Sequence, residues 1–290
     1  MDVAVIGAGP AGLMTALQLK RYGIPCVLFE GGTVGGLLHN ANLVENYPGF
    51  PGGIRGTQLV SLFAEQAINA GVEITPQTVI RIAHDGQAFL IHTGVDSYHA
   101  RAAVFATGTK PVTLPGHLLA DEIRERVYYE VHPLQGLNGC RVAVIGAGDA
   151  AFDYALNLAR HNEVLILNRG RQIKCLPLLW QRASASKRIA YYPETCLVKA
   201  ASQLENRLHL DCEQTDRQLT LVVDYLVAAL GRVPRLDLLS GLTDIESLQQ
   251  NNLLHLVGDA RRGVFRQTTI AVGDGMLAAM KIYQQLKEEG

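Results

Sequence analysis

An α/β architecture of two βαβ units, the second inserted into the first, is what this sequence of 290 residues predicts. Three observations carry the expectation. The heptapeptide Val3 to Gly9, VAVIGAG, returns unchanged as Val142 to Gly148, an offset of 139 residues. Each copy leads through a glycine turn into a helix-period segment and then a second apolar run. A weaker echo closes each unit: Ala106-Thr107-Gly108 with Pro111 returns as Ala229-Leu230-Gly231 with Pro234.

Composition narrows the field. Hydrophobic residues make up 48% and charged residues 18%, below the usual share of about 25%. That excludes a disordered chain and a coiled coil. The net charge of −1 gives no basic surplus for nucleic acid or an anionic membrane. Apolar runs such as Tyr225 to Leu230 are far too short to span a bilayer. The chain enters a strand pattern at Val3 with no basic stretch before it, so no removable leader is expected. Five cysteines stand at 26, 140, 175, 196 and 212, with no C-x-x-C among them. A disulfide framework and a structural zinc site both fit badly, no metal is expected, and a cytoplasmic setting fits best.

The elements follow in order. Strand Val3 to Ile6 runs into Gly7, Gly9 and Gly12, a G-x-G-x-x-G that opens a helix over Ala11 to Lys20. The first glycine permits the turn, the second lets a pyrophosphate approach, and the third lets helix and strand pack closely. The helix N-terminus supplies N–H donors to the phosphate. Glu30 ends the second strand, where an acid accepts from a ribose hydroxyl. A strand over Ala103 to Phe105 and the Pro111 crossover close the first half of this unit. The second unit begins with the strand Arg141 to Ile145 and the loop Gly146, Gly148, Ala151, and closes at Leu226 to Ala228 and Gly231. The parsimonious domains are 1–110 with 236–290, and 113–233 between them. About 55 C-terminal residues cannot comfortably bury a core alone, so they rejoin the first domain. An amphipathic helix is expected from about Met276 to Glu288.

Carried forward without a gap, the repeat places Arg169 opposite Glu30, with Arg171 and Lys174 nearby and Asn168 uncharged. An arginine there pairs with a 2′-phosphate, which favours NADP over NAD. A solvated basic loop that binds no nucleotide is the open alternative. Two dinucleotide loops in one chain point to a flavoprotein, with FAD in the first Rossmann-like fold and a nicotinamide in the second.

Several blocks together resemble one family. They are Gly7 to Gly12 (GAGPAG, with Pro10 and Ala11), Gly35-Gly36-Leu37, Glu45 to Phe50 (ENYPGF), Ala106-Thr107-Gly108, Gly146 to Ala151 (GAGDAA, with Asp149 and Ala150), Gly258-Asp259, Arg266-Gln267 and Ala271 to Gly275 (AVGDG). In order and spacing they are similar to the low-molecular-weight thioredoxin reductases and their relatives, from end to end of the chain. The resemblance implies an FAD domain with an inserted NADPH domain, a homodimer and cytoplasmic work. It implies Asp259 on the flavin ribityl chain, Gln267 and a helix starting near Thr268 facing the isoalloxazine, and Asn46 beside it.

One window departs from that family, whose members carry a redox C-x-x-C just before the second glycine-loop strand. Here Val127 to Leu134 reads VYYEVHPL. It resembles instead the ferredoxin/flavodoxin–NADP reductases of thioredoxin-reductase type, through Tyr129, Val131 and Leu134. Glu130 and His132 in this window are candidate proton donors, against the plainer reading of a solvated loop. Cys140 is expected to be a small buried hydrophobe, and Tyr128-Tyr129 and Tyr191-Tyr192 to pack at domain seams. Three functions follow: NADPH-driven electron transfer through FAD to a ferredoxin or flavodoxin, disulfide reduction through other thiols, or an FAD-binding non-enzyme with a degenerate second site.

Overall fold

A computed structural model describes residues 1–203, 207–215 and 217–288. The chain folds as two units: Met1–His39, Val44–Lys110 and Val233–Gly290 form one, and Asn40–Leu43 with Pro111–Arg232 form the other.

The first unit begins with β1 (Val3–Ile6), α1 (Pro10–Arg21) and β2 (Cys26–Phe29). It continues through α2 (Gly56–Asn69), β3 (Ile74–Thr75), β4 (Val79–His84), β5 (Phe89–Thr93), β6 (Ser97–Ala100), β7 (Ala102–Phe105) and β8 (Thr109–Pro111). The second unit holds β9 (Val127–Tyr128), β10 (Arg141–Ile145), α3 (Asp149–Leu158), β11 (Glu163–Leu167), α4 (Pro177–Ala185) and β12 (Ile189–Tyr192). It ends with β13 (Thr195–Gln203), β14 (Arg207–Gln214), β15 (Arg217–Val223) and β16 (Tyr225–Ala228), and β17 (Arg232–Pro234) returns the chain to the first unit. The chain then completes the first unit with α5 (Ile245–Gln250), β18 (Leu254–Leu256) and α6 (Thr268–Glu288).

Each unit is a five-stranded parallel sheet with a three-stranded antiparallel meander. The first sheet runs β18-β7-β1-β2-β3 and the second β12-β11-β10-β16-β9. β1 and β10 are central and buried along nearly their whole length, which is why both read as unbroken apolar runs. Val3 and Val5 face a core shared with α1 and α6, while Ala4 and Ile6 face the core of β4–β6. Val142 and Val144 likewise face the core of α3, and Ala143 that of the second meander. The fifth strand differs in origin. In the first sheet it is β18, from the C-terminal part of the chain; in the second it is β9, which precedes β10.

Two expectations are corrected. The C-terminal helix does not start near Met276: α6 begins at Thr268, where a helix was also expected, and runs as one helix of 21 residues through AVGDG. Its Gly275 permits a close contact. A Cβ on Gly275 would sit 2.2 Å from the Ala11 carbonyl oxygen, so glycine lets α6 lie against α1. The ungapped repeat also slips. Ile6 pairs with Phe29 but Ile145 pairs with Leu167. α3 ends two residues earlier than α1 and β11 adds one leading residue, Glu163 opposite Arg141, so the second strand arrives one position early.

Candidate functional site

The first glycine loop is held by its neighbours. Gly7 has φ +101°, and a Cβ there would meet the Ala106 carbonyl oxygen at 2.4 Å. On Gly12 a Cβ would lie 1.9 Å from the Gly7 carbonyl oxygen. At Gly9 it would meet nothing within 4 Å, so this loop presents bare backbone to open space in front of α1. Its first turn holds Pro10 and no acid. The Glu30 carboxylate accepts from Ala8 N–H and Gly32 N–H, both at 2.7 Å. Gly35 N–H donates to the Ala8 carbonyl at 2.7 Å, and a Cβ on Gly36 would come within 3.6 Å of Gly9 Cα. A Cβ on Gly258 would touch that of Ala11 at 3.0 Å.

The fold therefore gathers Gly7–Gly12, Glu30, Gly35, Gly36, Thr107 and Gly258 around one helix N-terminus. Thr107 Oγ1 donates to the Arg235 carbonyl at 2.6 Å, and Gly108 adopts φ +63°. Asn46 and Gln267 form a second group, joined by an Nδ2–H···Oε1 hydrogen bond of 2.9 Å. Thr268 begins α6 directly after Gln267. Sequence reasoning missed the pair that secures the Gly258-Asp259 turn: the buried Asp274 carboxylate pairs with Arg262 and accepts Gly258 N–H at 3.2 Å. No motif spacing signals it, because it depends on α6 running on past Gly273.

The second loop repeats the arrangement. Gly146 sits at φ +150°, and its Cβ would fall 2.7 Å from the Ala229 carbonyl oxygen, as Gly7 does toward Ala106. Gly148, like Gly9, faces open space. The buried Ala151 stands where the first loop has Gly12. One difference is electrostatic: α3 carries Asp149 in its first turn, next to Ala150. The Asp149 carboxylate is drawn aside to accept Leu176 N–H at 2.7 Å. Gly231 adopts φ +106°.

Register overturns the pairing of Arg169 with Glu30. Glu30 N–H donates to Thr75, in β3, and Asn168 N–H donates to Tyr192, in β12, so Asn168 is the structural counterpart. Arg169 lies one residue beyond. Asn168 is buried and shapes this loop: its Oδ1 accepts Gly170 N–H at 3.0 Å, and its Nδ2 donates to Gln172 O and Tyr191 Oη. Arg169 and Lys174 are exposed and carry no ion pair among the described residues. Lys174 is returned to the glycine loop by its N–H bond to the Ala147 carbonyl, 2.9 Å. Arg171 is engaged elsewhere, with Glu194 at 2.6 Å.

In the window from Val127 to Leu134, Glu130 accepts from Arg232 at 3.0 Å and from Asn40 at 3.4 Å. His132 N–H donates to Asn40 Oδ1 at 2.9 Å, and its ring is within 3.4 Å of Gln135. Glu130 is thus an ion-paired acceptor. Arg232 and Asn40 were not foreseen, since they lie 102 and 90 residues away in the chain. All five cysteines are free. Cys140 is half-buried rather than buried, flanking the α3 core; the buried cysteine is Cys212. Cys196 is exposed and lies on the strand beside Cys212. Burial pushes the thiols of Cys26 and Cys212 up to about 11, which disfavours their thiolates. The tyrosines pack inside the second unit: Tyr128 edge-on to Tyr225, Tyr191 against Phe152 and Trp180. No metal-holding cluster of His, Cys, Asp or Glu exists among the described residues, and no helix there is long and apolar enough to cross a membrane.

Residues 1–275 match the model of the pyridine nucleotide-disulphide oxidoreductase family. The chain belongs to that family. It is 30% identical to the bifunctional thioredoxin reductase/thioredoxin of Mycobacterium leprae over 99% of its own length, and spans 66% of that protein. It is 27% identical to thioredoxin reductase 1 of Saccharomyces cerevisiae, covering 96% of this chain and 95% of that one. Among solved structures, the thioredoxin reductase of Lactococcus lactis superposes with a TM-score of 0.88 at 28% identity, covering 99% of both chains. This member of the family is accordingly a thioredoxin reductase-type flavoprotein, an FAD-dependent NAD(P)H oxidoreductase with two Rossmann-like domains. FAD and NADPH are the cofactors of the type, and the bare backbone at Gly9 and Gly148 is the kind of cradle a pyrophosphate needs.

Proposed function

We propose that this enzyme draws electrons from NADPH through FAD and passes them to a redox protein of the ferredoxin or flavodoxin class, without a dithiol of its own. The observation that carries this reading is the window Val127 to Leu134, which holds no sulfur. The five cysteines stand on separate segments, so no two are placed as a C-x-x-C. Bound FAD supplies the step from a two-electron donor to one-electron acceptors. One NADPH gives up a hydride, becoming NADP, and two acceptor molecules each take one electron, with one proton released. The remaining chemistry belongs to the chain.

In this reading Gly7, Gly9, Pro10, Ala11 and Gly12 face the FAD pyrophosphate, and Glu30 its ribose. Gly35, Gly36 and Leu37 cover it, Thr107 and Gly108 border it, and Gly258-Asp259 takes the ribityl chain. Asn46, Arg266, Gln267 and Thr268 meet the ring. Gly146, Gly148, Asp149, Ala150 and Gly231 border NADPH, with Arg169 and Lys174 on the 2′-phosphate and Arg171 contributing less because Glu194 holds it. Glu130 orders its window through Arg232 rather than donating a proton. The enzyme works in the cytoplasm as a homodimer, a pairing favoured by the exposed Leu62 and Ile68 on α2.

A second reading has support of its own: the relatives are thioredoxin reductases, and Cys196 is an exposed thiol. Disulfide reduction through Cys196 and a partner's thiol is that alternative. The two separate cleanly. A variant with all five cysteines changed to alanine, loaded with FAD, is expected to keep NADPH-driven reduction of ferredoxin or cytochrome. Efficient thioredoxin reduction by wild type that the variant lacks would establish the second reading and end the first.

A further inference from the structure

Beyond the nucleotide loops, the first unit contains a cleft of about 220 Å³ along the outer edge of β18, between the end of α5 and the middle of α6. That is smaller than the 300–1,000 Å³ typical of sites for drug-sized ligands. It suits a molecule of a few heavy atoms. Lys281 lies thirteen residues into α6 from Thr268, roughly 20 Å along the helix at 1.5 Å per residue, so this end of the cleft lies away from the start of α6, while Val257, Arg261 and Asp274 at its other end adjoin the Gly258-Asp259 turn.

Three features of the lining converge. Arg261 and Lys281 both border the cleft, both are exposed, and neither has an anionic partner among the described residues. Their charges also fall on His255, which is half-buried and whose Nε2 lies 2.9 Å from the Asn252 carbonyl. That burial, with the two cations, lowers the imidazole from its ordinary titration range. The one carboxylate in the lining, Asp274, is already gripped by Arg262. Two like charges gathered without a counter-charge repel each other, a cost that an anion removes.

The third feature is the strand itself. β18 is the last strand of its sheet and pairs only with β7. Ala103 N–H reaches the Leu253 carbonyl and Val257 N–H reaches the Phe105 carbonyl, so alternate backbone groups are used on that side. In a parallel ladder the groups between them, at Leu254 and Leu256, point the other way, toward the cleft. An open edge supplies donors of the kind that bind oxyanions.

We infer that the outer edge of β18 is a binding site for a small dianionic oxyanion, held by Arg261, Lys281 and the edge N–H groups of β18 with Leu277 as the apolar floor. A phosphate monoester and a short dicarboxylate share this chemistry. Neither is part of the electron path, so the site is independent of the acceptor's identity.

The test uses FAD-loaded enzyme and the His255 ring resonance, assigned by its loss in His255→Gln. Inorganic phosphate and succinate are titrated separately against sodium chloride of matched ionic strength. The local resonance matters because phosphate is also expected to meet Arg169 and Lys174. The expected result is a saturable shift with phosphate, succinate or both, the responder naming the source, and none with chloride. In Arg261→Ala/Lys281→Ala the affinity falls by about tenfold or more, two charge-assisted contacts being lost. Leu277→Trp keeps both charges and fills the floor, and should abolish the shift. NADPH-driven flavin reduction stays unchanged in all three variants. A resonance that does not saturate in the wild type, or saturates with equal affinity in the double variant, overturns the site.

Discussion

Arg262 grips the carboxylate of Asp274 with two N–H groups, one of them Nε at 2.8 Å, where Asp274 is buried in the middle of α6. The same carboxylate holds Gly258 N–H. The pair therefore links the last helix to the turn that carries Asp259. Removing Arg262 strands a buried carboxylate, a loss of about 3–5 kcal/mol for a fully buried pair. Arg262 is partly exposed, so Arg262→Ala should cost about 2–3 kcal/mol. Denaturant unfolding of the apoprotein measures this, and FAD release during gel filtration should accompany it. Asp274→Asn should cost less, because Arg262 can turn to water. Equal losses for the two variants would contradict this account.

Gly7 and Gly9 separate folding from binding. Gly7→Ala places a methyl 2.4 Å from the Ala106 carbonyl and forces alanine to φ +101°, so the apoprotein itself should fail or melt far lower. Gly9→Ala adds a methyl that meets no protein atom. Its apoprotein melting temperature should stay close to wild type. FAD affinity should fall tenfold or more, about 1.4 kcal/mol or above. Calorimetry of the apoprotein beside FAD titration checks both. A Gly9→Ala protein that keeps full FAD affinity would show that the flavin does not approach this loop.

The basic loop after β11 divides in the same way. Arg169 and Lys174 are unpaired, whereas Arg171 already holds Glu194. Arg169→Glu should weaken NADPH by roughly tenfold to a few hundredfold, about 1.5–3 kcal/mol for a lost charge-assisted contact plus repulsion. NADH should barely respond. Arg171→Ala should change NADPH affinity by less than about threefold, since surface pairs such as Arg171–Glu194 contribute little. Anaerobic titrations with each nucleotide decide it, and an Arg171 effect as large as that of Arg169 would count against the assignment.

What the sequence disclosed follows from how local each feature is. The two glycine loops were legible because seven consecutive residues repeat and every demand on them, the turn, the close approach and the helix start, arises within ten residues. Asn168 was not. One residue fewer between the paired ends of β10 and β11 than between those of β1 and β2 moves the whole second strand, and an ungapped alignment placed Arg169 at the position that Asn168 fills. That the helix expected near Thr268 and the one expected near Met276 are a single α6 was not legible, because Gly275 serves a contact with Ala11 and Thr15 across more than 250 residues of chain. Glu130 was visible as an acid in a window without cysteine. Its ion pair with Arg232 was not, because nothing in either local sequence names the other.

Asp153 offers the last prediction, and it concerns pH. Its carboxyl is half-buried on α3, accepts Asn42 N–H at 2.8 Å, and is lifted from 3.8 to about 6. Burial is the main cause. The Asn42 hydrogen bond and the charges of Arg160 and Arg182 oppose it, and Asp149 adds to it. The sign follows from the folded state holding this proton more tightly than the unfolded chain does. Below about pH 4 Asp153 carries a proton in both states and costs nothing. As pH rises through about 6, the unfolded chain has already released the proton, the folded protein must ionise a half-buried group, and stability falls. A shift of about two units corresponds to roughly 3 kcal/mol at most. Asp153→Asn keeps an oxygen to accept Asn42 N–H and removes the ionisation. The variant should therefore be more stable than wild type by about 1–3 kcal/mol at pH 8 and nearly equal at pH 4, measured by urea unfolding at both values. A difference that is the same at the two pH values would show that Asp153 is not held protonated by burial, and that its bond to Asn42 is made at no electrostatic cost.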